Sequence, residues 1–164
     1  MQASSASNNL PTSSDSKAAL RTWLRLLSCE AVIEQRLRSQ FREKFQVTLP
    51  QFDVLSELER AEEPLTMSQL SSDLMVSNGN VTGVVDRLVK SGLVKRMRSR
   101  RDRRVQNIRL TEEGAEHFRK MARWHEQLVG EIFSSMSSAE LENLQGLLIR
   151  ARASAMESPV SQQH

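Results

Sequence analysis

Seven arginines and one lysine fall between Ser91 and Leu110 against a single acid, Asp102. That stretch carries a local charge of +7 in a chain whose net charge is only +3, so the remaining residues sum to −4. Positive charge gathered on one short segment is the electrostatic footprint of a phosphate-binding element. Asp102 is the informative exception, because a polyanion repels a carboxylate there unless that carboxylate aims a neighbouring cation. Catalytic chemistry has no comparable support. There is no nucleophile elbow, no glycine-rich phosphate loop and no spaced pair of carboxylates, so the chain does not read as an enzyme and no cofactor is expected. His117 and His125 stand eight residues apart and His164 lies at the C-terminus, which makes no metal-ligand pattern. Cys29 is the only cysteine, so an intramolecular disulfide is excluded, and we read it as a packed thiol.

The basic segment is preceded by two helices. Thr66-Met67-Ser68-Gln69 has capping-box spacing, Met67, Leu70 and Leu74 give the first helix an apolar face, and Met75-Val76-Ser77 makes a three-residue turn. From Ser77 to Lys90, the residues Val81, Val84, Val85, Leu88 and Val89 form one apolar stripe at the helical period. The opposite face holds Gly79, Gly83, Asp86 and Lys90. Two helix-interior glycines cost about 1 kcal/mol each relative to alanine, which suits a helix that must come close to another body, such as the major groove of DNA. Leu93-Val94-Lys95-Arg96 and Val105 to Leu110 then read as two strands with the arginine-rich tip between them. Helix, short turn, polar-faced helix and basic hairpin predict a winged helix-turn-helix: mainly α, with a small β-wing.

The run Leu65-Thr66-Met67-Ser68-Gln69-Leu70, then Val76 to Thr82, Val85-Asp86-Arg87-Leu88 and Gly92-Leu93-Val94 resembles the MarR family of winged-helix regulators. Asp102-Arg103-Arg104 followed by Leu110-Thr111 is similar too, and the likeness extends by layout over roughly residues 20–155. On this resemblance Ser77, Asn78, Asn80 and Thr82 lie where side chains reach base edges, with Arg87 and Lys90 on phosphates. Capping remains an equal alternative for Ser77 and Asn80. At the wing, Arg101, Arg103 and Arg104 would enter or straddle the minor groove, and the resemblance implies a pair between Asp102 and Arg104.

The flanks are helical. Residues 1–17 are rich in Ser and Asn and read as a disordered tail, as do 158–164. Between them, residues 18–157 read as one MarR-type domain, its DNA-binding lobe at about 48–111 and dimerisation helices at about 18–46 and 112–156. Leu20, Leu24, Leu27, Ala31, Leu37, Phe41 and Phe45 give the first long helix an apolar side. Thr48-Leu49-Pro50-Gln51 opens the next, with Phe52, Leu55 and Leu58 buried. Thr111 caps a helix burying Phe118, Ala122, Val129, Ile132 and Phe133 and running to about Met136. Ser137 with Glu140 opens the last, bearing Leu141, Leu144, Leu148, Ala151 and Ala155. The first and last helices have more apolar surface than the middle can cover, which predicts a homodimer. Its two recognition helices would sit one DNA turn apart, about 34–36 Å, on a pseudo-palindromic duplex. No run of 18 apolar residues and no secretory signal is present, so no membrane is expected and a cytoplasmic location follows.

The resemblance further implies a repressor relieved by a small organic effector, bound where the first, second and fifth helices meet the DNA-binding lobe. Trp23, Phe52, His117, Met121 and Trp124 lie on those helices. The likeness to regulators of aromatic-acid breakdown suggests an aromatic acid or an aryl-coenzyme A thioester, with Arg21, Arg25, Arg36 and Arg38 toward its phosphates. The alternatives are an architectural DNA binder without an effector, or a cysteine-based redox sensor. The absence of tyrosine removes the hydroxyls that would activate Cys29 in the latter.

Overall fold

A computed structural model describes residues 13–98 and 105–157. The order is α1 (Ser13–Phe45), α2 (Leu49–Arg60), β1 (Leu65–Thr66), α3 (Met67–Asp73), α4 (Asn78–Lys90), β2 (Val94–Arg98), β3 (Gln106–Leu110), α5 (Glu112–Ile132) and α6 (Ser138–Glu157). The expected mostly helical fold with a small β-wing is what the chain adopts. The helical starts lie where the side chains dictate. Thr66 and Gln69 close a reciprocal box, Gln69 N–H donating to Thr66 Oγ1 at 3.2 Å and Thr66 N–H to Gln69 Oε1 at 2.8 Å. Thr48 N–H donates to Gln51 Oε1 at 2.9 Å, and Ser137 and Glu140 repeat the exchange at α6.

Several elements differ from the sequence reading, β2 among them, which runs on to Arg98. α1 begins at Ser13, so residues 13–17 are helix and not tail, with Asp15 in a first turn where the helix dipole favours an acid. α5 stops at Ile132, four residues before Met136. The two-residue strand β1 was not anticipated, being too short to show an alternation; it pairs antiparallel with β3, Leu65 facing Ile108, to give the sheet order β1-β3-β2.

The chain divides into two compact units, one ending at Ala122 and one starting at Arg123. In the first, most of the α4 stripe is covered: Val81, Val84, Val85 and Leu88 are buried with Phe41, Phe52, Leu55, Leu70, Ile108 and Leu110, while Val89 at its margin is half-buried. Each such side chain contributes roughly 1.5–3 kcal/mol when removed from water. Aromatic rings tie α1, α2 and α5 together, Phe52 lying 4.8 Å from Phe41 and stacking on Phe118 at 5.4 Å. The start of α5 is pinned beneath the end of α4. Thr111 N–H donates to the Leu93 carbonyl at 3.0 Å, its hydroxyl donates to Gly92 O at 2.7 Å and accepts from Gly114 N–H at 2.9 Å. A Cβ on Gly114 would lie 1.9 Å from the Leu93 carbonyl oxygen, so this junction closes only around glycine.

Burial fails elsewhere. Every residue from Asp15 to Val32 is exposed, Leu20, Leu24 and Leu27 of the predicted stripe among them. Cys29 is exposed, not packed, because nothing among the described residues of its own unit covers that half of α1. In the second unit Leu128 is buried, but Val129, Ile132 and Phe133 are half-buried and α6 buries nothing. Phe118 and Ala122, in the first unit, are likewise half-buried, the fully covered α5 position there being Met121.

Candidate nucleic-acid interface

α4 presents its outer face bare. Ser77 occupies the N-cap with extended backbone, yet its hydroxyl makes no capping bond, so that group stays uncommitted. The N–H groups of Asn78, Gly79 and Asn80 begin a helix and have no intrahelical acceptor, which leaves a cluster of donors with the positive end of the helix dipole. The Asn78 and Asn80 side chains are exposed without a partner among the described residues. Thr82 is exposed too, but its hydroxyl donates back to Asn78 O at 2.8 Å, leaving its methyl and oxygen lone pairs outward. Ideal Cβ atoms at Gly79 and Gly83 meet nothing within 4 Å, so no contact among the described residues requires either glycine. Arg87 and Lys90 extend the face as exposed cations.

The wing joins this face through an ion pair that sequence reading missed. Arg96 of β2 donates Nη2 to Asp86 Oδ1 of α4 at 2.6 Å. The signal was available: Asp86 is the lone acid on a bare face among cations, the same argument that singled out Asp102. Lys95, Arg98 and Arg109 lie exposed on the paired strands. Arg101, Asp102, Arg103 and Arg104, and with them the implied Asp102–Arg104 pair, lie outside the described residues.

A cavity of about 490 Å³ opens behind the recognition helix. Arg38 and Arg42 of α1, Asp53 and Val54 of α2, Val76 of the turn and Asn80, Val84 and Arg87 of α4 line it. Arg38 is held by Glu34 one turn earlier, whereas Arg42 and Arg87 have no ion-pair partner among the described residues. Desolvation, and secondarily the nearby Glu57, holds the Asp53 carboxyl above its ordinary value. This is not the site expected from sequence. Phe52 and Met121 are core residues, and His117 is half-buried edge-on against Phe45 at 6.0 Å. Trp23, Arg25 and Arg36 are exposed on α1, and Trp124 belongs to the second unit. None of the seven lines the cavity. An arginine pair at i, i+4 facing an acid on the next helix was the readable sign of it.

The short sheet, the α3–turn–α4 pair and the basic strands together define a winged helix-turn-helix. The MarR family model matches residues 47–105. The chain is 32% identical over 126 residues to the HTH-type transcriptional regulator PecS of Dickeya dadantii, which spans 76% of each protein. Its fold matches a MarR family transcriptional regulator from Silicibacter pomeroyi with a TM-score of 0.76 and 27% identity, covering 89% of this chain and all of the other. It also matches FabT of Streptococcus pneumoniae, solved in complex with DNA, with a TM-score of 0.71 and 26% identity over 85% of this chain and 98% of that one. The chain belongs to the MarR family, and is a DNA-binding transcriptional regulator of the winged-helix type.

Proposed function

We propose that this protein is a homodimeric repressor that reads a pseudo-palindromic operator and is released by a small organic anion held in the cavity behind α4. The observation that carries this reading is the sharing of one helix by two surfaces. Asn80 and Arg87 stand at the edge of the DNA-facing side and line the cavity, so a ligand there touches the element that reads DNA. Two unpaired guanidinium groups and an apolar wall favour a carboxylate on an aromatic or aliphatic body. A cavity of about 490 Å³ encloses an aromatic acid and only the acyl end of a coenzyme A thioester. The exposed apolar faces of α1 and α6 are the surfaces offered to a second copy. Release follows if the ligand favours a placement of α4 that the DNA-bound dimer lacks, by no more than its differential affinity for the two states.

The test is a thermal-shift screen of aromatic acids and their thioesters, followed by operator footprinting with each hit. A protected inverted repeat that disappears with a carboxylate, but not when Arg38→Ala and Arg42→Ala are combined, is the expected result. Protection of no discrete site, or indifference to every acid, would leave an effector-free architectural binder instead. Arg104→Ala tests the wing, and should lower the salt slope of operator binding by about one contact.

A further inference from the structure

Two successive helices of the lobe end in the same hydrogen-bonded motif, and differ in the residue at its left-handed position. At the end of α4, Gly92 N–H donates to Val89 O and Leu93 N–H to Leu88 O, with Gly92 at φ +77°. At the end of α3, Met75 N–H donates to Ser72 O and Val76 N–H to Ser71 O, both at 3.1 Å, with Met75 at φ +54°. The Ser71 hydroxyl locks the second turn further by donating to Val76 O at 2.5 Å. This left-handed position ordinarily takes glycine, since any L side chain there is strained. Gln46 closes α1 in the same region, but it is polar and its exposure needs no further explanation. Met75 is apolar and 84% exposed, the most exposed of the chain's large hydrophobic residues among those described.

A methionine at this left-handed position carries backbone strain that no burial among the described residues offsets. A contact made outside the monomer would offset it. Its neighbours indicate where. It stands two residues before the Ser77 N-cap, beside the uncommitted donors of Ser77, Asn78 and Asn80. Val76, between them, lines the cavity and is 43% exposed, about half as much as Met75. Met75 projects the most exposed large apolar group from an otherwise polar, electropositive edge. The major groove offers one apolar group on its base edges, the thymine C5 methyl. A thioether is soft and unbranched, and adapts to such a methyl without a fixed geometry.

We propose that Met75 is a specificity-determining residue that packs its side chain on a thymine methyl beside the bases read by α4. The proposal rests on the operator reading given above. Its test uses the full chain and the site that footprinting assigns to the wild type, with each thymine replaced in turn by deoxyuridine, which lacks only the methyl. Met75→Gly relieves the left-handed strain, so its Tm should be unchanged or raised by up to about 4 °C. Its operator affinity should nevertheless fall. One thymine per half-site should cost the wild type about fourfold when demethylated, the worth of one buried methyl, and cost Met75→Gly nothing. Met75→Leu should restore the discrimination and Met75→Gln should not. Equal affinities for wild type and Met75→Gly, or a loss that adds to every deoxyuridine penalty without cancelling one, would overturn the proposal. A wild-type chain that protects no discrete site removes the operator reading itself, and Met75's role with it. A protected site whose deoxyuridine penalties survive in Met75→Gly removes only the latter.

Discussion

α4 and the first half of α1 carry apolar stripes of the same helical period, and the chain disposes of them in opposite ways. Val81, Val84, Val85 and Leu88 are sealed by α2, α3 and the sheet, and what α4 leaves outside is polar or glycine. Leu20, Trp23, Leu24 and Leu27 lie 42–56% exposed on the first half of α1, which no described residue of its own unit covers. Leu147, Leu148 and Ile149 on α6 repeat the pattern in the second unit. Period alone therefore identifies which face of a helix will be dry; it does not say whose atoms will dry it. The lobe closes within one chain, while the long helices keep apolar faces uncovered among the described residues, which the proposed dimer would cover with a second copy.

The strongest way to break this contrast is to charge one face of each kind. Leu24→Glu should leave the helical content unchanged, shift sedimentation from dimer to monomer at micromolar concentration, and weaken operator binding by about 10²- to 10⁴-fold as the two half-sites become independent. Val85→Glu, by contrast, should unfold the lobe. A wild-type chain that sediments as a monomer, or a Leu24→Glu variant that remains a dimer, would put the exposed stripe to some other use.

Within the lobe, two glycines sharpen the comparison between a residue demanded by packing and one left bare. Gly114→Ala drives a methyl into the Leu93 carbonyl, a backbone atom held by Thr111, and should lower stability by about 3 kcal/mol. That corresponds to a fall in Tm of roughly 6–12 °C. Gly83→Ala meets open space and gains helix propensity, so it should raise stability by about 1 kcal/mol and Tm by about 2–4 °C. If α4 enters the groove, that same methyl should weaken DNA binding. Thermal melts and operator titrations of both variants decide it, and a Gly83→Ala variant that gains stability and loses no affinity would count against close approach at that face.

The lobe was legible because its signals are local. Thr48 with Gln51, Thr66 with Gln69, and the stripe from Val81 to Leu88 each specify an element within a few residues, and each element formed there. What the sequence hid depends on juxtaposition. β1 is two residues long and exists only because Ile108 and Asn107 lie opposite it. Asp86 and Arg96 are ten residues apart on different elements, and only the packing of β2 against α4 brings them to 2.6 Å. The cavity is the plainest case. Aromatic and methionine side chains at helical spacing read as core or as ligand contacts, and Phe52 and Met121 fill the core, while the opening forms among arginines, of which Arg38 is one the sequence reading names. Where α1 begins was missed for a different reason: serine-rich composition reads as loose chain, yet Asp15 suits a first turn.

A smaller effect tests the link between the two DNA-facing elements. Asp86 places a negative charge on a face meant for a polyanion, so its simple removal should tighten binding if it did nothing else. If it aims Arg96 and holds the wing root against α4, Asp86→Ala should weaken operator binding by about threefold, with little change in Tm because the pair is exposed. The sign of the change separates the two roles, and Asp86→Glu should recover part of the loss.

The smallest expected effect concerns the charge balance of the cavity. Burial and Glu57 raise the Asp53 pKa above its ordinary value, so its carboxylate costs the folded state stability near neutrality, a cost relieved as pH falls through the raised pKa. An anion entering beside Asp53 raises that pKa further, and binding then takes up protons. An aryl sulfonate, anionic throughout, should accordingly bind about two- to threefold tighter at pH 5 than at pH 7. Asp53→Asn should bind it more tightly at pH 7 and with little dependence on pH. The reverse slope, weaker binding in acid, would mean that Asp53 accepts a hydrogen bond from the ligand. The occupant would then need a donor beside its acidic group, which narrows the effector to anions carrying both.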